Sequence, residues 1–137
     1  MLERVLSNIP SPNGLVLSAD ATRLFVAVTR ANAIWRAPFV LDGGVSKVGV
    51  YLSLSGGGGP DGIAIDADDG LIVAQPGLGV LRFDYRGVLT HFIDLPHGSS
   101  ASNIAFERHD SRRMFITDSS SGKIFVVDMP FAGPKTS

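Results

Sequence analysis

The sequence predicts an all-β fold of the β-propeller type, and three observations lead to this prediction. Loops of small or polar residues deliver an Asn or Asp to the start of a short apolar stretch at Asn13, Asp61 and Asn103. These positions recur at intervals of about 45 residues, the length of one propeller blade. No apolar run keeps a helical period over about ten residues. We therefore expect three four-stranded blades in this chain.

The composition limits the classes of protein and of partner. With 137 residues, 45% of them apolar and 18% charged, the chain should form a single globular domain over residues 1–137. A net charge of -1 without a basic block disfavours nucleic-acid and membrane partners. The absence of cysteine excludes disulfides and thiolate chemistry. The N-terminus is too short and too charged for a signal peptide, so a cytoplasmic location is the default expectation.

The first repeat spans roughly residues 2–39. Its strands are short apolar runs bounded by turn residues, and Pro38 falls near a strand end, where a missing backbone donor does least harm. The four predicted strands are Arg4–Ile9, Leu15–Ser18, Leu24–Val28 and Ala33–Phe39.

The second and third repeats, roughly residues 46–85 and 88–129, follow the same order. Alternating or continuous apolar runs again mark the strands, and Gly, Pro, Asp and Ser mark the turns between them. The eight predicted strands are Val48–Ser55, Ile63–Asp66, Leu71–Gln75, Val80–Tyr85, Leu89–Leu95, Ile104–Glu107, Met114–Asp118 and Lys123–Met129.

Three blade starts carry a resemblance to a known family. The stretches Pro12-Asn13-Gly14, Gly59-Pro60-Asp61-Gly62 and Ser102-Asn103-Ile104, with the strands that follow them, resemble the SMP-30/gluconolactonase/luciferin-regenerating enzyme family. The resemblance covers only the last three blades of that family. It implies a six-bladed propeller with a divalent cation on its axis, calcium foremost and magnesium or zinc as alternatives. It also implies hydrolysis of lactones and related esters.

The same resemblance implies roles for individual residues. Asn13 is similar to the family's cation ligand on the fourth blade, and Asp61 to the ligand on the fifth blade that also serves as a catalytic base. In a ring of two chains, Asn103 falls where a family asparagine contacts substrate. The family's first-blade glutamate has no counterpart, because Glu3 lies in the leading strand and not at a blade start.

The geometry of a propeller supports a shared site without reference to any family. Rotation about the axis brings equivalent blade positions to one central place, so Asn13, Asp61 and Asn103 should converge. Their amide and carboxylate oxygens suit a hard cation such as calcium or magnesium. The alternative is that Pro-Asn-Gly and Pro-Asp-Gly are only turn sequences, chosen for their permitted dihedral angles. Three such positions in register favour the axial site.

Other candidate residues have simpler interpretations. The acidic run Asp66–Gly70 lacks the spacing of an EF-hand and is typical of a hairpin turn. The glycines Gly56–Gly59 are followed by no Gly-Lys-Ser/Thr, so they do not form a phosphate loop. Arg36 and Arg82 are interpreted as solvated strand residues. Among the histidines, His97 alone could face a substrate, since it lies in the loop before Asn103.

Two classes of function remain open. The first is a divalent-cation-dependent hydrolase of a lactone or related ester, with Asp61 as ligand and base and a small molecule as its substrate. The second is a non-catalytic binding or scaffold propeller whose axial residues only fix the structure. In either case we expect a homodimer, in which Arg4–Ile9 of each chain completes the last blade of the other. Such a ring could hold one axial cation or two half-sites.

Overall fold

The computed structural model describes residues 1–41 and 43–135, which form three antiparallel sheets that are consecutive blades of a β-propeller. In each blade the first strand in sequence is the innermost one. Blade I contains β1 (Pro12–Leu17), β2 (Arg23–Val28), β3 (Ala33–Pro38) and β4 (Gly49–Ser53). Blade II contains β5 (Ile63–Ile65), β6 (Leu71–Gln75), β7 (Gly79–Phe83) and β8 (Leu89–Ile93). Blade III contains β9 (Ala101–Phe106), β10 (Arg113–Asp118) and β11 (Lys123–Asp128).

The outermost strand of blades I and II comes from the beginning of the next sequence repeat. Blade III has three strands among the described residues and not the predicted four. β4, which opens the second repeat, pairs with β3 of blade I through Ile34 and Leu52. β8, which opens the third repeat, pairs with β7 of blade II through Val80 and Ile93. The second and third sequence repeats are therefore each tied to the preceding sheet by a strand.

The predicted strand at Arg4–Ile9 is wrong. Residues 1–9 contain no strand, and most of them are exposed. The reason is physical: an isolated extended segment has no partner for its backbone N–H and C=O groups, and no neighbouring strand lies beside this one among the described residues. The other eleven predicted strands are confirmed with shifted ends. β1 begins at Pro12 and β9 at Ala101, so Asn13 and Asn103 lie inside strands and not in the loops before them.

Helical structure is almost missing from the described residues. A single 3-10 turn, Thr29–Ala31, joins β2 to β3. No helix in this part of the chain has the length and apolar character needed to span a membrane.

Two hydrophobic cores fill the spaces between neighbouring blades. β6 of blade II supplies both of them, since Leu71 and Val73 face blade I while Ile72 and Ala74 face blade III. This explains why β6 is a continuous buried run and not an alternating one. Full burial of one such Leu or Ile side chain contributes about 1.5–3 kcal/mol to stability.

The outer faces of blades I and III are not covered by other described residues. Leu15 is 65% exposed on blade I and Ile124 is 69% exposed on blade III. Further apolar side chains on these two faces are also exposed, namely Leu17 and Val50 on blade I and Phe115 and Val126 on blade III.

The interpretation of Arg82 as a solvated residue is wrong. Its guanidinium Nε lies 2.7 Å from Oδ2 of Asp66, and both side chains are buried. The guanidinium also lies 4.2 Å from the centroid of the Phe131 ring. Phe131 follows the last strand, and this distant segment covers the arginine. Arg36 is half-buried and lies over the ring of Tyr51.

Candidate axial site

The three predicted site residues lie on the inner strands of the blades or directly before them, and backbone hydrogen bonds join these segments. The Gly14 N–H donates to the Asp61 C=O over 3.0 Å. The Gly62 N–H donates to the Ser102 C=O over 2.9 Å. The backbone segments that carry Asn13, Asp61 and Asn103 are therefore immediate neighbours at the centre of the half-propeller.

Gly62 is required by the close approach of the second and third segments. A Cβ atom at this position would lie 2.8 Å from Cα of Asn103 and would also meet its side-chain oxygen. The absence of a side chain lets the two backbones approach within hydrogen-bond distance. The Gly after Asp61 thus serves the packing of the axis as well as the turn.

Asp61 is a half-buried carboxylate on a fixed backbone. Its N–H donates to the Ala74 C=O over 2.9 Å, and its own C=O accepts from Gly14. No donor within residues 1–41 and 43–135 reaches the carboxylate, and burial raises the pKa of Asp61 above its ordinary value. A carboxylate that is partly desolvated without a compensating hydrogen bond is a strong attractor for a cation.

Asn13 is exposed, and its amide is held at one end. Its Nδ2 donates to Oγ1 of Thr29 over 3.3 Å. The Thr29 hydroxyl in turn donates to the Pro60 C=O over 2.6 Å, which links the blade I residue to the residue before Asp61. Sequence reasoning missed Thr29, because its role depends on how blade I sits against the loop of blade II.

Asn103 lies at the rim of this arrangement. Its Oδ1 accepts from the neighbouring Ile104 N–H over 3.0 Å. With Phe115, Thr117 and Ile124 it lines an open groove of about 280 Å³ on the uncovered face of blade III. Asn103 is thus next to Gly62 through its backbone, while its side chain borders the outer groove.

Gln75 is a second residue that sequence reasoning missed. It is fully buried at the end of β6, and its Nε2 donates to Oδ1 of Asn32 over 2.9 Å and to the Gly56 C=O over 2.8 Å. These bonds hold the start of the glycine loop that leads to Asp61. The signal for Gln75 in the sequence was a polar residue at the end of a strand whose other residues are apolar.

His97 is exposed in the loop before β9. It lines a small cavity of about 140 Å³ together with Asp94 and Ser99, beside the turn between β6 and β7.

The donor set of the site consists of one carboxylate and amide oxygens. Such oxygens fit a hard divalent cation. Among the described residues, no group of three or more His, Cys, Asp or Glu side chains could hold a metal. Asp61 would be a charged ligand of such a cation, and amide oxygens and water would complete its coordination.

Known proteins are similar to this chain in sequence. The SMP-30/Gluconolactonase/LRE-like region family matches residues 1–120. Lactonase drp35 from Staphylococcus saprophyticus is 38% identical over 87 residues, which cover 61% of this chain and 27% of that protein.

Two solved structures are similar as well. A gluconolactonase from Xanthomonas campestris has a TM-score of 0.76 at 28% identity, over 91% of this chain and 40% of that one. A calcium-binding protein, regucalcin, from Agrobacterium tumefaciens has a TM-score of 0.74 at 24% identity, over 92% of this chain and 50% of that one. The chain thus spans half or less of each of these proteins, and by its sequence match it belongs to the SMP-30/gluconolactonase/LRE-like family.

Proposed function

We propose that this chain carries part of a divalent-cation-dependent hydrolase that opens a lactone or a related ester. The observation that carries the proposal is the Asp61 carboxylate, which is half-buried and accepts no hydrogen bond from the described residues. Membership of the family supports the reaction class, since similar proteins are named lactonase and gluconolactonase.

Asn13 and Asp61 are the residues that would hold the cation. Calcium fits their oxygen donors best, with magnesium or zinc as alternatives. A bound divalent cation would polarise the ester carbonyl and stabilise negative charge on its oxygen. Asn103 would donate a hydrogen bond from its Nδ2 to a substrate oxygen.

Asp61 is also the candidate base. Its carboxylate would accept a proton from the water whose oxygen bonds to the carbonyl carbon. The ring C–O bond then breaks, and the proton passes to the departing alkoxide oxygen, so the products are a hydroxyl and a carboxylic acid.

We also propose that a second copy of the chain supplies the other three blades. The uncovered faces of blades I and III are both apolar, and a ring of two copies would cover each of them with the other. In that ring the inner strands of the second copy would face Asn13 and Asp61 across the axis, and they would bring a second Asp61 carboxylate and further amide oxygens to the site.

Metal content and activity test the proposed hydrolase together. The protein should retain a divalent cation after dialysis, gain thermal stability in millimolar calcium and hydrolyse a lactone such as a sugar lactone. Asp61→Asn should abolish both the calcium response and turnover, because it removes the carboxylate that would bind the cation and act as the base.

Asp68→Asn is the matched control, since Asp68 is an exposed turn residue of the same blade. This variant should keep both properties. A protein that binds no divalent cation and hydrolyses no lactone would contradict the hydrolase and favour the binding or scaffold propeller.

A further inference from the structure

We propose that Thr29 is a positioning residue that fixes which end of the Asn13 amide faces the cation. This inference rests on the proposed function, in which Asn13 is a cation ligand. An asparagine amide presents either an oxygen or an NH₂ group to the site, and only the oxygen can coordinate a cation. The protein must therefore select one of two orientations that have nearly the same shape.

The orientation of the Asn13 amide follows from the hydrogen bond that the Thr29 hydroxyl donates. The carbonyl oxygen of Pro60, 2.6 Å from Oγ1 of Thr29, can only accept a hydrogen bond, so it takes the hydroxyl proton. Oγ1 of Thr29 then has lone pairs alone to offer to Asn13. Only Nδ2 of Asn13 can donate to it, and the contact measures 3.3 Å. Oδ1 of Asn13 must consequently face away from Thr29.

Thr29 is itself firmly held at this position. Its N–H donates to the Ser11 C=O over 3.1 Å, and its C=O accepts from the Asn32 N–H over 3.1 Å. Gly59 approaches it from blade II with a φ of +90°, and a Cβ atom at Gly59 would lie 2.9 Å from Cγ2 of Thr29. A rigid hydroxyl can impose an orientation, whereas a mobile one would follow the amide.

The same hydroxyl connects both proposed ligands. Pro60 is bonded to Asp61, and Gly14, the neighbour of Asn13, donates to the Asp61 C=O over 3.0 Å. The two ligand-bearing segments are thus joined by one backbone bond and by the chain that runs from Asn13 through Thr29 to Pro60. Thr29 contributes to the spacing of the ligands as well as to the orientation of the amide.

Thr29→Val tests the inference, because valine keeps the shape and removes the hydroxyl. Without the acceptor at Thr29, the Asn13 amide can turn its NH₂ group toward the cation. Loss of such an orienting partner weakens metal affinity by about 10- to 100-fold. The calcium dissociation constant of each variant should be measured by isothermal titration calorimetry, with the calcium-dependent melting temperature as a second readout.

Two control variants accompany this measurement. Thr29→Ser retains the hydroxyl and should bind calcium as the wild type does. Thr22→Val removes a hydroxyl that is bonded to Asp20 in the turn at the opposite end of β1, so it should leave the calcium affinity unchanged.

A double variant separates positioning from a general structural effect. A carboxylate has two equivalent oxygens and needs no orientation, so in an Asn13→Asp background the additional Thr29→Val change should alter the affinity by less than about threefold. An equal loss of affinity in both backgrounds would overturn the inference. If the wild type bound no calcium at all, the proposed function would fail instead. If the wild type and Thr29→Val bound calcium equally, only the role of Thr29 would fail.

Discussion

Asp61 and Asp118 are carboxylates of one chain in opposite environments. Asp118 accepts hydrogen bonds from the Ser121 hydroxyl, from the Ser100 N–H over 2.8 Å and from the Ser120 hydroxyl and N–H. These donors hold the pKa of Asp118 well below its usual range. Asp61 has no such donors among the described residues, and burial raises its pKa. Asp118 therefore fixes a serine-rich turn, while Asp61 remains available to a ligand.

The lowered pKa of Asp118 predicts a pH-dependent contribution to folding. In the unfolded chain the pKa of this carboxyl is about 3.9, and in the folded chain its pKa is lower. Its stabilising effect is fully present above the unfolded value and is lost as the pH falls toward the folded value. Asp118→Asn should therefore be less stable than the wild type at pH 7, and the difference should shrink at pH 3. Urea unfolding at both pH values measures this change.

A matched control for this prediction is Asp68→Asn, in an exposed turn of blade II. It should show a much smaller change in stability between the two pH values. Equal pH dependence of Asp118→Asn and the wild type would contradict the role assigned to Asp118.

At the residue scale, the sequence repeat marks the positions at the blade starts but not the residues that contact them from another blade. The blade-start positions Asn13, Asp61 and Asn103 were recognisable in the sequence because the same local pattern recurs at each of them, and their roles in a site stay a prediction. Thr29 was not recognisable, since its contacts with Asn13 and Pro60 form only when blades I and II are packed together. Hydrogen bonds between residues of different blades leave no periodic pattern in the sequence.

At the scale of elements, the buried ion pair between Arg82 and Asp66 joins the strand β7 to the turn after β5. Asp66 also accepts from the Gly70 N–H over 2.8 Å and from the Asp68 N–H over 3.0 Å. The pair thus organises the hairpin between β5 and β6 under the cover of Phe131. Breaking a buried pair is costly, because the remaining charge lacks its partner.

Arg82→Met should lower the free energy of unfolding by about 3–5 kcal/mol, since it leaves Asp66 buried without its counter-charge. The double variant Asp66→Asn with Arg82→Met should recover part of this loss. Arg36→Met should cost about 1 kcal/mol or less, because Arg36 only lies over the ring of Tyr51. Urea unfolding of the three proteins tests the prediction, and equal losses for Arg82→Met and Arg36→Met would refute it.

Strand prediction succeeded where a sequence pattern and a neighbouring strand coincided. Eleven strands formed close to their predicted positions, since turn residues and β-branched runs mark them locally. Arg4–Ile9 shows a similar apolar content, but no strand is available beside it in a single described chain. The solvated interpretation of Arg82 failed for a related reason, because Phe131 covers it from far along the sequence.

At the scale of the whole molecule, the exposed faces of blades I and III predict a ring of two copies. Native mass measurement at micromolar concentration should give twice the chain mass of 14.5 kDa. Leu17→Glu on blade I and Ile124→Lys on blade III should each give monomers, since each places a charge on an apolar face of both contacts in the ring. A monomeric wild type would rule out the ring.

Mixing the two variants identifies which faces meet. If blade I of one copy contacts blade III of the other, one contact in a mixed pair carries both opposite charges and the other is entirely wild type. The mixture should therefore regain the dimer mass. A mixture that stays monomeric, or a single variant that stays dimeric, would indicate a different contact between the copies.

The strand shared across each repeat boundary has a consequence for protein engineering. The boundaries of the sequence repeats and the boundaries of the sheets differ by one strand. β4 opens the second repeat but completes the sheet of blade I, and β8 opens the third repeat but completes the sheet of blade II. A blade grafted into another propeller should therefore be cut just before its innermost strand, as at Asp61, and should end after β8. A graft cut at the repeat boundary would lack the outer strand of its own sheet. It would also carry the outer strand that belongs to the sheet of the preceding blade. Exchange of blades among such propellers is thus constrained by where the hydrogen-bonded sheet closes, and not by where the sequence repeats.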